Sequence, residues 1–477
     1  MNTARLAKLM WIVFEKFGIS LISLLTFIVY AKILGPSELG IAVLALSVGQ
    51  GLALIFGSLF EDALVQQPKL GAAQLNSAFC SSLSLSLSLC LVSVIILQNM
   101  SLELLLKQLI LVSLIQLPLV SLSTIYVAQL RRSGAFKQLA HRTLFGRLVG
   151  AASGLYLVTH GAGAWSVIIQ AVSAEVLGLL TLLFASNYRP KVYFNLATTM
   201  SLLKIGGPLA LRRLSWDITV RGVPIVIGLN ASASAVGTFA LAWRLVEMPR
   251  SAISSGIISF ALPVFSRNQH QPETLQTLFC YASRITCFLI LPLFFGLTAT
   301  APLLIPLLFG AQWSEAIWVT QLLSLTAAYS VTRLYAPTLL TALARPNLTL
   351  SSDVFASLSC LLVAWWLAPN YAAEAGALGI IARSLIAAPF SYLGVSKALG
   401  LSCKTQVLSS IHGLVAASLM LVMVLALPEY LTLSPLGLLS CSIILGASCY
   451  LLSYSLLQPH WLSDLRQFVS RKQISYV

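Results

Sequence analysis

Between Lys204 and Leu229 the chain reads KIGGPLALRRLSWDITVRGVPIVIGL, which has the length and most of the composition of a membrane-crossing helix. Yet it holds Arg212, Arg213, Asp217 and Arg221 in its interior. Arg213, Asp217 and Arg221 follow one another at four-residue intervals and so share one helix face. A charge at the centre of a membrane helix costs near 3 kcal/mol on insertion scales. Four therefore cost on the order of 10 kcal/mol before snorkelling and Asp–Arg pairing reduce the sum. One carboxylate cannot neutralise three guanidiniums, and the unbalanced cations need water or an anionic ligand. A guanidinium offers a planar fork of donors that matches phosphate oxygens, and it stays charged at any accessible pH. The chemistry these residues suit is the holding of a phosphate-bearing group inside an apolar chain.

Further charges continue the pattern. Arg244, Glu247 and Arg250 lie three apart and cover about a third of a helix circumference. Arg284, Arg333 and Arg383 follow in later apolar runs, against Glu175 and Asp353. The cations Arg212, Arg213, Arg221, Arg244, Arg250, Arg284, Arg333 and Arg383 are the candidate binding set. Glu15, Lys16, Asp217, Glu247, Asp353 and Glu175 are candidates for charge balance or for proton or sodium coupling, and no spacing selects one of them. The alternative for a single residue such as Arg212, Arg250 or Arg284 is structural: snorkelling to a headgroup, or pairing with a buried carboxylate. Gly206, Gly207, Pro208 and Pro224 remove or weaken helix bonds near both ends of the 205–230 run and are candidate hinges. The five histidines fall mostly near run ends, where solvated or packed roles are expected. The eight cysteines lie mostly within apolar runs without metal-ligand spacing, so no metal site and no cofactor are expected.

These residues must be positioned by membrane helices. Of 477 residues 58% are hydrophobic and only 9% charged, and the mean hydropathy is +0.90. A soluble domain is typically about a quarter charged. Apolar runs recur from end to end, each able to cross a roughly 30 Å hydrocarbon core, and helices satisfy their backbone groups within the segment. The expected spans are 11–34, 38–61, 73–97, 104–130, 143–160, 163–186, 205–230, 236–262, 275–300, 313–342, 347–368, 374–398, 405–427 and 434–458. The fold class is thus an all-α polytopic membrane protein of about fourteen helices, with twelve as the alternative count. SSLSLSLSLC (81–90) alternates like a strand, but it sits in a longer apolar run where serine hydroxyls can bond back to the preceding turn, so helix is expected.

The net charge of +15 is spread over short connectors. Nucleic-acid binding would need a concentrated basic stripe or tail. Basic connectors alternate with short ones carrying Glu38, Glu103, Glu374 and Glu429, which places both termini on the cytoplasmic side of the membrane. The N-terminal apolar run is too long for a signal peptide and lacks a small-residue cleavage site, so it is expected to be retained. Every connector is far shorter than the roughly 50 residues a folded domain needs, which leaves no room for a soluble catalytic domain. Residues 459–477 have the spacing of a short interfacial helix.

The chain repeats itself. LGPSELGIAVLALS (34–47) aligns with NASASAVGTFALAWR (230–244), pairing Gly40 with Gly237; QLRRSGAF (129–136) aligns with ALARPNLT (342–349); GAGAWSVI (161–168) aligns with EAGALGII (374–381). The common order implies six-helix bundles at 1–200 and 201–400, then two extra helices at 401–458 and a tail at 459–477. Paired bundles around a central cavity suit alternating access.

KILGPSELGIAVLAL with EDALVQQ (61–67), and VGTFALAWRLVEMP with FALPVFSR (260–267), resemble the two half-signatures of bacterial O-antigen and exopolysaccharide repeat-unit flippases. These form the polysaccharide transport branch of the multidrug/oligosaccharidyl-lipid/polysaccharide exporter superfamily. The resemblance implies a carrier, not an enzyme, that moves undecaprenyl-pyrophosphate-linked oligosaccharides to the outer leaflet. It also implies twelve to fourteen helices in two lobes about a polar, often cationic cavity, and a polymerase and a chain-length regulator as pathway partners. Ala42 departs from the family where an aromatic is common, and Ser232 replaces a turn glycine. RGVPIVIG (221–228) lacks the acidic residue the resemblance leads one to expect there, so ion-coupling details are not carried over. A lipid II flippase and a drug or cation antiporter of the same superfamily are alternatives. A membrane polysaccharide polymerase is the alternative from another class.

Overall fold

The computed structural model describes residues 3–459 except 68, 69, 187, 346 and 432. It describes no side chains at 3–10, 12–17, 57, 58, 208, 209, 211–213, 259, 260, 347, 349 and 350. The expected tail helix and the side chains of Glu15, Lys16, Pro208, Arg212 and Arg213 therefore lie outside the described residues. The described chain is helical: α1 (Thr3–Phe56), α2 (Asp62–Gln66), α3 (Ala72–Asn99), α4 (Leu104–Ser113), α5 (Gln116–Ser133), α6 (Phe136–Thr159), α7 (Trp165–Ala185), α8 (Leu196–Asn230), α9 (Ala233–Arg267), α10 (Pro272–Phe309), α11 (Ala316–Val331), α12 (Ala336–Ala342), α13 (Asn347–Leu399), α14 (Cys403–Tyr430) and α15 (Pro435–Leu457).

Each of the fourteen expected spans falls on helix. Two long helices each carry two spans. α1 breaks at Gly35, whose φ of 69° is open to glycine, and Pro36 restarts the helix where its missing N–H is harmless. α13 breaks at Ala372, with φ 43°. Among the described residues, eight helical stretches are long and apolar enough to cross a membrane by length and composition alone. The long helices outside that set are α6, α8 and α9, which carry Arg142 and Arg147; Asp217 and Arg221; and Arg244, Glu247 and Arg250. Their interior charges lower the hydropathy of these three helices.

The chain divides into two compact units, Met1–Ala240 with Ala364–Ala372, and Leu241–Val363 with Ala373–Val477. In the first, one apolar core gathers Phe56, Leu109, Leu114, Leu117 and Ile168, and a second gathers Phe60, Leu64, Ile125 and Leu202. In the other unit Phe265, Leu275, Phe279, Tyr335 and Leu339 pack together, with Tyr335 edge-on to both phenylalanines. The alternating serine segment is helical, within α3. Ser81 Oγ bonds back to the Ser77 carbonyl (2.6 Å) and meets Thr199 of α8 (2.7 Å), while Ser82 meets Ser121 of α5 (2.7 Å). Small hydroxylated residues here let helices approach and hydrogen-bond without bulk.

The two glycines paired in the sequence repeat touch each other's helices. A Cβ on Gly40 would overlap the Ala233 carbonyl oxygen, and one on Gly237 would overlap the Pro36 carbonyl oxygen. Since Pro36 precedes Gly40 by four residues, as Ala233 precedes Gly237, the crossing is reciprocal, each glycine admitting the other segment's backbone. The two departures from the family pattern fit here: Ala42 is fully buried, and Ser232 Oγ accepts from the Ala235 N–H (3.1 Å) at the start of α9. Gly207, by contrast, faces open space. Gly40→Ala is therefore expected to destabilise the protein by about 1–3 kcal/mol through overpacking. Gly207→Ala should be neutral or gain up to about 1 kcal/mol from helix propensity. Thermal unfolding of the two detergent-purified variants checks the opposite signs.

Candidate functional site

In the second unit the cations gather around a helix break. The stretch from α11 to α12 unwinds over Thr332–Tyr335, where backbone bonds shorten to three-residue spacing: Thr332 to Tyr329 (3.3 Å), Arg333 to Ser330 (3.3 Å) and Leu334 to Val331 (3.1 Å). Flanking side chains hold the break in place. Thr332 Oγ1 meets the Tyr392 hydroxyl (3.0 Å), and Thr286 Oγ1 meets the Tyr335 hydroxyl (2.7 Å). Arg333 leaves the chain at this break. Its Nη2 donates to Ser384 Oγ (2.6 Å), and its guanidinium lies 5.7 Å from the centre of the Tyr329 ring, a cation–π distance.

Arg383, one residue before Ser384 on α13, donates from Nε to Ser357 Oγ (3.3 Å). Ser357 in turn bonds back to the Asp353 carbonyl (2.8 Å). The Asp353 carboxylate lies within electrostatic reach of both Arg333 and Arg383, and Arg250 lies within reach of the same two. Arg250 has its own partner: it meets Glu247 through two parallel bonds, Nε–Oε2 at 2.6 Å and Nη2–Oε1 at 2.7 Å. Arg244 and Arg284 are half-buried on α9 and α10. Away from the helix ends, α9 to α13 and the Thr332–Tyr335 break thus hold five guanidiniums (Arg244, Arg250, Arg284, Arg333 and Arg383) against three carboxylates: Glu247 (paired with Arg250), Asp353, and Glu374 beside the α13 break. A net positive, half-buried cluster can bind an anion bearing several oxygens.

The first unit carries a separate set. Asp217 and Arg221 interact across one turn of α8, and Arg147 of α6 lies within electrostatic reach of Arg221. Gly51 leaves room for the Arg221 stem, since a Cβ there would sit 3.5 Å from Arg221 Cβ. Glu175 of α7 pairs with Arg142 of α6 (Oε2–Nη2, 3.8 Å). α8 runs unbroken through Gly206, Gly207 and Pro224; Gly206 abuts the Leu59 backbone, and Pro224 is buried. The structure thus brings together Arg250, Arg333, Arg383 and Asp353 in one unit and Asp217 and Arg221 in the other. Tyr329, Ser357, Ser384 and Arg147 join these sets without having been singled out in the sequence. For Arg147 a signal was there: it is the second arginine of an otherwise apolar run, five residues after Arg142.

The family model described as "Polysaccharide biosynthesis protein" matches residues 29–318. The chain belongs to that family. It is 26% identical over 319 residues to the succinoglycan biosynthesis transport protein ExoT of Rhizobium meliloti, a match covering 66% of this chain and 65% of that one. It is 25% identical over 168 residues to the lipopolysaccharide biosynthesis protein WzxC of Escherichia coli, covering 35% of this chain and 34% of that one. The match therefore spans just under two thirds of the first relative's length and about a third of the second's. Among solved structures, the inward closed lipid II flippase MurJ superposes with a TM-score of 0.78 at 17% identity, covering 94% of this chain and 98% of that one. An inward-facing multidrug resistance transporter of the MATE family gives a TM-score of 0.57 at 17% identity, covering 81% and 94%. At such identities these two likenesses establish the fold.

Asp353 is the local counter-charge of the Arg333–Arg383 pair. Asp353→Asn should lower stability by about 1–3 kcal/mol by leaving two like charges facing each other, and adding Arg383→Gln should restore part of the loss. A thermal-melt double-mutant cycle in detergent measures this coupling, and additive effects would show that the three residues do not act together.

Proposed function

We propose that this protein is a flippase for lipid-linked oligosaccharide repeat units, moving undecaprenyl-pyrophosphate-linked glycans from the cytoplasmic to the periplasmic leaflet by alternating access. The observation that carries the reading is the excess of guanidiniums over carboxylates on α9 to α13, in a chain of the polysaccharide biosynthesis family. An amphiphile with a pyrophosphate head crosses hydrocarbon only if something replaces the water around its phosphates. Guanidiniums do so in kind, through charge and paired hydrogen bonds. The Arg333–Arg383 pair is the primary phosphate contact in this reading, and Arg221, balanced in part by Asp217, is a second cation available to an anion in the first unit. An acid-rich site would suit a drug or cation antiporter better. The names of ExoT and WzxC point to polysaccharide assembly and that of MurJ to lipid II, and the family match favours the former.

In this reading the protein moves its substrate without making bonds and is expected to need no cofactor. Energy enters through the substrate gradient or through an ion, for which Asp353, Asp217 and Glu247 are the candidate carriers. The expected setting is the inner membrane with both termini cytoplasmic, two six-helix bundles, and a polymerase and a chain-length regulator downstream.

The test is a deletion strain in which lipid-linked intermediates are extracted and probed with a periplasm-restricted glycosidase. Complete repeat units should accumulate out of its reach. An Arg333→Gln/Arg383→Gln double variant, present in the membrane at normal abundance, should restore export by less than about a tenth of the wild-type level, since two charge-assisted contacts are lost. Units that reach the outer face yet stay unjoined would instead identify a polymerase. Normal export from the double variant would remove these arginines from the substrate path.

A further inference from the structure

A second feature lies in the first unit, where the connector after α7 folds against α3. Asn76 Oδ1 accepts from the Tyr188 hydroxyl (2.6 Å) and from the Lys191 N–H (3.1 Å), and Ser77 Oγ exchanges hydrogen bonds with the Asn195 backbone (3.1 Å each). Burial, with Tyr126 and the Cys80 thiol nearby, pushes the Tyr188 phenol up to about 12, so it remains a neutral donor. Arg189 is tied down through Nη1, which donates to the carbonyls of Ser186 (2.9 Å), Tyr188 (3.2 Å) and Leu183 (3.4 Å) at the end of α7. These acceptors fix the guanidinium without neutralising it, because no described carboxylate lies within ion-pair distance of it.

Behind Arg189 opens a cavity of about 450 Å³ walled by Phe79, Leu122, Leu180, Leu183 and Phe184. That volume is within the range of small-molecule sites, and its wall is apolar. Phe184 is 87% exposed at its rim. The connector continues the same surface outward: Lys191 is exposed, Val192 is 99% exposed and Phe194 58% exposed. Apolar side chains and fixed cations alternating at the end of a membrane helix match the boundary between acyl chains and headgroups.

We propose that this cavity binds one anionic glycerophospholipid, with an acyl chain along Phe79, Leu180 and Leu183 and its phosphate at Arg189 and Lys191. The occupant is a membrane lipid and not the transported one. The walls bring no cluster of polar side chains that could recognise a glycan, and the two cations sit at the helix end, where a headgroup stays hydrated. Basic pockets between membrane helices hold anionic headgroups in this way, each cation near the surface contributing about 1 kcal/mol.

The test uses the full chain, purified and delipidated in detergent, titrated with phosphatidylglycerol or phosphatidylcholine and read by native mass spectrometry. Wild type should retain one phosphatidylglycerol in preference to phosphatidylcholine, and raised salt should weaken the preference. Lys191→Gln, whose side chain makes no hydrogen bond in the fold, should reduce that preference about fivefold. Arg189→Gln should do at least as much. Leu180→Trp, at a half-exposed wall position, should fill the cavity and abolish retention while the thermal transition stays unchanged. Equal retention of both lipids, or retention indifferent to Leu180→Trp, would overturn the site. Displacement of phosphatidylglycerol by undecaprenyl phosphate at equal concentration would assign the cavity to the carried lipid and overturn the proposal as well.

Discussion

The structure turns on charge that is held at membrane depth without being cancelled. A guanidinium surrounded by apolar helices must have acceptors, and there are two ways to supply them. Glu247 takes the first way with Arg250, where two short parallel bonds leave a nearly neutral pair. Arg333 takes the second. Its direct partners are the hydroxyl of Ser384 and the face of Tyr329, and Arg383 beside it bonds to the hydroxyl of Ser357. Neutral acceptors fix direction and position but leave the positive charge in place. Removing one such hydroxyl costs a hydrogen bond to a charged group, about 1.5–3 kcal/mol, without altering the local charge. Asp353, in reach of both arginines, moderates their mutual repulsion and still leaves the set positive.

The backbone departs from a regular helix where Arg333 leaves it. At this break, Thr332–Tyr335, the side chains of Tyr392 and Thr286 satisfy polar groups beside the unwound turn. Irregular backbone inside a membrane is tolerated where protein groups meet its needs. The fourth span of the first unit is interrupted as well, at Leu114 and Ile115 between α4 and α5, but there the surroundings are the apolar core of Leu109, Leu117 and Ile168. The two irregular turns carry different chemistry, one lined by arginine and tyrosine and the other by leucine and isoleucine.

How far this was legible in the sequence depends on which force fixes each feature. Membrane insertion makes hydropathy a direct reporter of helices, and all fourteen expected runs are helical. The charged helices α6, α8 and α9 fall below a composition threshold, yet the four-residue spacing of Asp217 and Arg221 and the three-residue spacing of Arg244, Glu247 and Arg250 still mark them as helical. Helix breaks were legible only where chemistry forces them. Gly35–Pro36 is such a place, and so is Leu114–Ile115, where Pro118 brings no N–H to the Leu114 carbonyl four residues back; Ala372 follows Pro369 by three residues. Pairing was hardest to read. Glu175 could have faced any cation by sequence, and its partner is Arg142 on the adjacent helix. The serines that orient Arg333 and Arg383 stand among many serines in the chain, and only the three-dimensional meeting of Ser384 with a helix break 50 residues away in sequence distinguishes them.

The stretches 34–47 and 230–244 resemble each other in sequence, and two similar segments need not meet. Here Gly40 and Gly237 meet, and each makes room for the carbonyl four residues before the other. Neither glycine could therefore gain a side chain while its counterpart stayed as it is, because the obstruction is backbone and cannot rotate away. The pairing couples two parts of the chain almost two hundred residues apart through a contact in which no side chain takes part. That contact leaves the neighbouring positions free to diverge, as the small buried Ala42 and the capping Ser232 have done, while the cations that distinguish the two halves lie further along the same helices.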